Sequence, residues 1–154
     1  MHTLSPASTA RRGATLLQWP MIACLYASQG IPFGLAMEAL PAILRGQGAS
    51  LGALAYLPLV SLPWVLKCGW APVVDNHWAP RLGRRRSWIL PMQTLVLILL
   101  LGVMAIGVTQ ATLPYLLALS VAASLASATQ DIATDGLVAE RFEARALGTA
   151  NAVQ

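Results

Sequence analysis

Two aspartates four residues apart, Asp131 and Asp135, fall on one face of any continuous helix. Paired carboxylates can do general acid-base or glycosidase chemistry if a pocket holds them at a catalytic separation. Like charges at this spacing also repel, so a basic partner such as Lys67, Arg141 or an arginine of the 84–86 run explains them more simply. Lys67 can lay its stem in an apolar layer with the ammonium at the interface, at nearly the depth at which Asp131 arrives, and an ion pair between them would lower both desolvation costs. Asp75 followed by Gly83, Arg84, Arg85 and Arg86 joins a carboxylate to a guanidinium cluster that can close a bidentate latch, or that can serve as a topological anchor alone.

Glu38 is either an interfacial carboxylate beside Arg45 or a substrate-contacting or proton-carrying group in a cavity. Ser28 and Gln29 precede a Gly30, Pro32, Gly34 break, where an interrupted helix can line a solute site or where polar side chains can glue helices together. Cys24 and Cys68 lie inside apolar segments without metal or redox spacing, His2 and His77 are isolated, and there is no phosphate loop or nucleophile elbow. No cofactor and no catalytic residue is therefore expected. The four arginines of 81–86 have no aromatic-basic sheet pattern or finger spacing beside them, which excludes nucleic acid as a partner.

The elements that must position these residues are transmembrane helices. The chain has 154 residues, 56% of them hydrophobic and 10% charged, against about 25% charged in ordinary soluble domains. No Asp, Glu, Lys or Arg occurs from Ser87 to Gln130, well beyond the roughly 20 residues that one crossing needs. The expected organisation is a polar, disordered cytoplasmic tail at 1–15, then transmembrane helices within 16–145, then the opening of a truncated fifth helix at 146–154. The four crossings are placed at about Leu16–Leu44, bent at the Gly/Pro cluster, Leu51–Trp70 with Pro58 and Pro63 inside it, Trp88–Val108, and Leu113–Thr129 or beyond. A polar connection at 71–87 carries the candidate latch. Arginines concentrate in the tail, in this connection and after the fourth crossing, which predicts a cytoplasmic N-terminus. A cleaved signal peptide is disfavoured, because the first apolar stretch runs on to about Leu44.

GWAPVVD at 69–75 and GRRR at 83–86 resemble the signature of the major facilitator superfamily in its second-to-third-helix loop, split here by NHWAPRL. The insertion is similar to a branch holding muropeptide permeases, acetyl-coenzyme A transporters, and RhtX and FptX type siderophore importers. YASQGIPFG at 26–34, LPWVLK at 62–67 with WAP at 70–72, and ATQDIATDG at 128–136 carry the same resemblance. It implies an all-α inner-membrane protein of twelve helices in two halves, of which this chain would be an N-terminal piece of about four, lacking the C-terminal helices it would work with. It further implies alternating access in the bilayer, coupling to protons or another gradient, and a cytoplasmic gate built on Asp75 and Gly83 to Arg86. Gln29, Glu38, Lys67, Asp131 and Asp135 are the candidate substrate or coupling residues. The IPFG and IATDG wording favours a ferric siderophore as solute, with a muropeptide, or a small nontransporting membrane adaptor, as the alternatives.

Overall fold

A computed structural model describes the backbone of residues 6–141 and the side chains of residues 19–140. Residues 146–154, expected to open a fifth helix, lie outside the described residues, as do residues 1–5. Helix α1 runs Pro6–Gly34 and continues through a π-helical turn, Leu35–Ala39, into α2, Leu40–Gly46. The boundary expected at residue 16 therefore falls inside a helix that already begins at Pro6. Gly30, Pro32 and Gly34 do not end that helix. The break comes immediately after them as the π turn, where one extra residue per turn relaxes the ladder that the missing Pro32 N–H has interrupted.

The second pass is segmented: α3 (Leu51–Leu54), a 3₁₀ turn (Leu57–Ser61), α4 (Leu62–Leu66), another 3₁₀ turn (Lys67–Gly69) and α5 (Ala71–Asn76). Pro58, Pro63 and Pro72 each stand in the first two positions of a segment, where a missing donor is tolerated and the ladder restarts. The connection expected at 71–87 is thus half helix, and only 77–85 is irregular. Then α6 runs Arg86–Ile106 and α7 runs Leu113–Arg141. Gly107 at φ 75° closes α6, a left-handed value that favours glycine. Thr109 and Thr112 exchange hydrogen bonds with each other's backbone and hydroxyl groups ahead of α7.

Among the described residues, three helical segments are long and apolar enough to cross a membrane, 51–69, 86–106 and 113–140. Side-chain pairs fix their directions. Tyr26 with Asp135 and Gln29 with Asp131 make α1 antiparallel to α7. Val60 with Ser124 and Lys67 with Asp131 make the segmented pass parallel to it. A Cβ on Gly102 would meet Leu119 while Arg85 lies against Gly136, which makes α6 antiparallel to α7. The described chain therefore traverses the bundle four times in alternating directions, with the 47–50 turn hydrogen-bonded to the 107–112 turn through Gln47 and Gln110.

Helix α7 is the shared post. Each of the three hydrophobic clusters includes one or more of its residues: Val138 with Ile22 and Tyr26, Ala133 with Val74 and Ile89, and Leu117 and Val121 with Ala36, Leu40 and Val60. Its buried run Ser120, Ala123, Ser124, Ala126, Ser127 and Ala128 consists of small residues, which let backbones approach where lipid supplies no hydrophobic drive between helices. In contrast, α6 and the 51–69 pass show most of their apolar side chains to the surroundings, as helices facing lipid or further helices do.

Candidate functional site

Polar side chains on the inner face of α7 form two clusters at different depths. The deeper one is centred on Asp131, 1% exposed, whose Oδ1 accepts from Gln29 Nε2 at 2.8 Å and whose Oδ2 pairs with Lys67 Nζ. Lys67 remains 28% exposed, and its ammonium also lies 5.5 Å from the Trp64 ring centroid, a cation–π contact. A charge at the centre of a membrane helix costs about 2.5–3.5 kcal/mol on insertion scales, so pairing removes most of the reason against placing these two there. Trp64 stacks edge-on against Phe33 at 5.9 Å, tying the pair to the Pro32–Gly34 break.

One turn on, Asp135 Oδ1 accepts from the Tyr26 hydroxyl at 2.8 Å. Ser28 Oγ accepts from Gln130 Nε2 at 3.1 Å and from Gln93 Nε2 at 3.3 Å while donating to Leu25 O, so a single hydroxyl joins α1, α6 and α7. Gln29 Oε1, Trp64 Nε1 and Ser127 Oγ are buried without a hydrogen-bond partner. Buried polar atoms without a partner are uncommon in folded proteins.

The second cluster closes the arginine-bearing end of the bundle. Arg85, 9% exposed, donates from Nη1 to Asp75 Oδ1 at 2.5 Å and from Nε and Nη2 to Glu140 Oε1 at 2.9 and 2.7 Å. Burial alone would lower its pKa. The hydrogen bonds it donates to Glu140 and Asp75, together with the charges of those carboxylates, outweigh that effect and raise it, so the guanidinium stays charged throughout the physiological range. Arg84 is more loosely held, 3.9 Å from Asp75 and 3.5 Å from Glu140, with its guanidinium 5.6 Å from the Trp78 ring. Gly83 at φ 84° turns the chain so that Arg84 and Arg85 face Asp75, and Ser87 Oγ donates to its carbonyl at 2.5 Å. A Cβ on Gly136 would fall within the Arg85 guanidinium, so the absence of a side chain there is what admits the arginine to α7.

Of the expected latch residues, Asp75, Gly83, Arg84 and Arg85 assemble as the spacing suggested. Arg86 does not: it opens α6, exposed, and has no ion pair among the described residues. Of the expected substrate or coupling residues, Gln29, Lys67, Asp131 and Asp135 come together. Glu38 does not: it lies exposed, on the face opposite the buried Ala36 and Leu40, without an ion pair to Arg45. Sequence reasoning missed Glu140, Gly136 and Tyr26. The four-residue step from Gly136 to Glu140, which puts both on one face of α7, is the signal that could have added two of them to the latch.

These features define a multi-pass helical membrane protein of the major facilitator type. Residues 18–154 match the acetyl-coenzyme A transporter 1 family, and the chain belongs to that family. It is 30% identical to the anhydromuropeptide permease of Escherichia coli over 82% of this chain and 26% of that protein. It is 34% identical to an uncharacterized protein of Haemophilus influenzae over 86% of this chain and 32% of that one. An uncharacterized membrane protein of Saccharomyces cerevisiae is 40% identical over 51% of this chain and 14% of its own length. The chain therefore spans between about a seventh and a third of the length of these relatives. No solved structure matches it. Membership of this family points to a transporter and not to a catalytic enzyme.

Proposed function

We propose that this chain contributes four helices to a solute transporter of the inner membrane that works by alternating access, with its arginine-bearing end in the cytoplasm. The orientation rests on the concentration of arginine in the tail, in the 77–85 connection and after α7. The observation that carries the reading is the charged, hydrogen-bonded network of Gln29, Lys67 and Asp131 inside the bundle, beside an interrupted helix and three unpartnered polar atoms. Polar groups concentrated at membrane depth next to a broken helix are the local chemistry of a solute or ion path.

In this reading Asp75, Arg84, Arg85 and Glu140 act as a gate, made when the cytoplasmic side is closed and broken when it opens. A muropeptide is the favoured solute class, supported by the similarity to a permease named for anhydromuropeptides. The siderophore reading that the IPFG and IATDG wording favoured has no support among the relatives named above. Accumulation of labelled anhydromuropeptide by vesicles carrying the complete transporter to which these helices belong, exceeding that of a ferric siderophore and abolished by collapsing the ion gradient, is the expected result. Siderophore uptake without muropeptide uptake would reverse the order of substrates, and uptake of neither would remove the muropeptide assignment.

A further inference from the structure

Three carboxylates near the Arg85 end of α7 are matched to cations, and one is not. Asp131 has Lys67, and Asp75 and Glu140 share Arg84 and Arg85. Asp135, between the two clusters, has no ion pair among the described residues, and it accepts a hydrogen bond from the neutral Tyr26 hydroxyl at 2.8 Å. It also lines a cleft of about 380 Å³ shared with Lys67, Cys68, Asp75, Arg85 and Gly136, which connects the pair to the latch and brings water within reach of the carboxyl group. Asp131, by contrast, is closed off on both oxygens.

We infer that Asp135 is the proton-exchanging carboxyl group of this bundle, with Tyr26 positioning it, and that the neighbouring Lys67–Asp131 pair stays ionised as a fixed scaffold. The inference rests on the transporter reading and adds to it which of two adjacent aspartates changes charge. An ionised Asp135 leaves the inner face of α7 with one negative charge in excess, and a proton from the cleft cancels it without breaking any ion pair. A proton on Asp131 would instead strand the Lys67 ammonium at membrane depth. The charged and titratable groups around Asp135 are Tyr26 from α1, Lys67 and Cys68 from the segmented pass, Asp75 from α5, Arg85 at the start of α6, and Asp131 and Glu140 on α7. A change of charge there is felt at once by the pair one turn away and by Arg85 across the cleft, which links proton uptake to the latch.

The test is pH-difference infrared spectroscopy of the protein in lipid nanodiscs, reading the carbonyl band of a protonated carboxyl group. Asp135→Asn should remove one component of the pH-dependent band, leaving that of exposed carboxylates such as Glu38, Asp75 and Glu140, and the neutral double variant Lys67→Gln with Asp131→Asn should keep that component. A band that Asp135→Asn leaves unchanged, or a component that disappears in the double variant, overturns the inference. Where Asp135→Asn fails to fold, Tyr26→Phe serves instead: the midpoint of the band should be displaced, and an unmoved midpoint overturns the role given to the pair. The reading is independent of uptake. A band assigned to Asp135, with no solute moved once these helices are joined by the rest of the transporter, refutes the transporter reading alone, and gradient-driven uptake with an invariant Asp135 refutes only this inference.

Discussion

The Lys67–Asp131 pair and the Arg85 cluster use the same chemistry in different surroundings, and the surroundings set what each can do. Asp131 is sealed among α1, the segmented pass and α7, so the pair cannot open without leaving a charge in an apolar bundle. At the other site the arginine is buried but its carboxylates are not, Asp75 being 42% and Glu140 43% exposed, so water can replace the protein partner when the contact breaks. The first arrangement suits a fixture that holds helices in register. The second suits a contact that is made and broken. Both engage α7, within about three turns of one another along it, so a movement of that helix is felt at both.

Removing one partner at the buried site is the most severe way to break the contrast. Lys67→Met should lower stability by about 3–5 kcal/mol through the uncompensated Asp131, read as a fall in the thermal unfolding temperature of the purified protein, and adding Asp131→Asn should recover most of it. Arg85→Ala comes next, at about 1.5–3 kcal/mol, because three charge-assisted hydrogen bonds disappear while two half-exposed carboxylates are rehydrated. Transport should suffer more than stability in that variant, which uptake measured alongside unfolding would separate.

Gly136→Ala should cost about as much as Arg85→Ala, about 1.5–3 kcal/mol, because the added methyl displaces the buried guanidinium and the same three hydrogen bonds are lost. Its signature is a loss of the Arg85 contacts in an otherwise intact fold, visible as greater accessibility of the loop end of α6 to hydrogen exchange. Arg84→Ala should be the mildest change, under about 1 kcal/mol and diminished further by salt, since its two ion pairs are long and its side chain is 44% exposed.

Much of this contrast was legible in the sequence. The i, i+4 step put Asp131 and Asp135 on one face, and the cost of an isolated charge in lipid called for a cation at the depth of Lys67. Asp75 with Gly83 to Arg85 followed from a carboxylate and a guanidinium run flanking a turn. What escaped depends on the register between helices. Tyr26 meets Asp135, and Glu140 reaches Arg85, only because α1 and α6 sit at particular heights beside α7, and a uniformly apolar or small-residue face gives no local sign of height. The segmentation at Pro58, Pro63 and Pro72 was partly visible from the missing donors. The π turn at Leu35–Ala39 was not, because one extra residue in a turn leaves no compositional trace.

The most direct test of the whole account is a pair of double-mutant cycles on unfolding free energy, one for Lys67 with Asp131 and one for Arg84 with Glu140, each at low and high salt. The account predicts a coupling of about 2 kcal/mol or more at the buried pair that salt leaves unchanged, and under about 1 kcal/mol at the exposed one, falling as salt rises. Equal couplings with equal salt dependence would contradict the division between a fixed scaffold and a breakable latch.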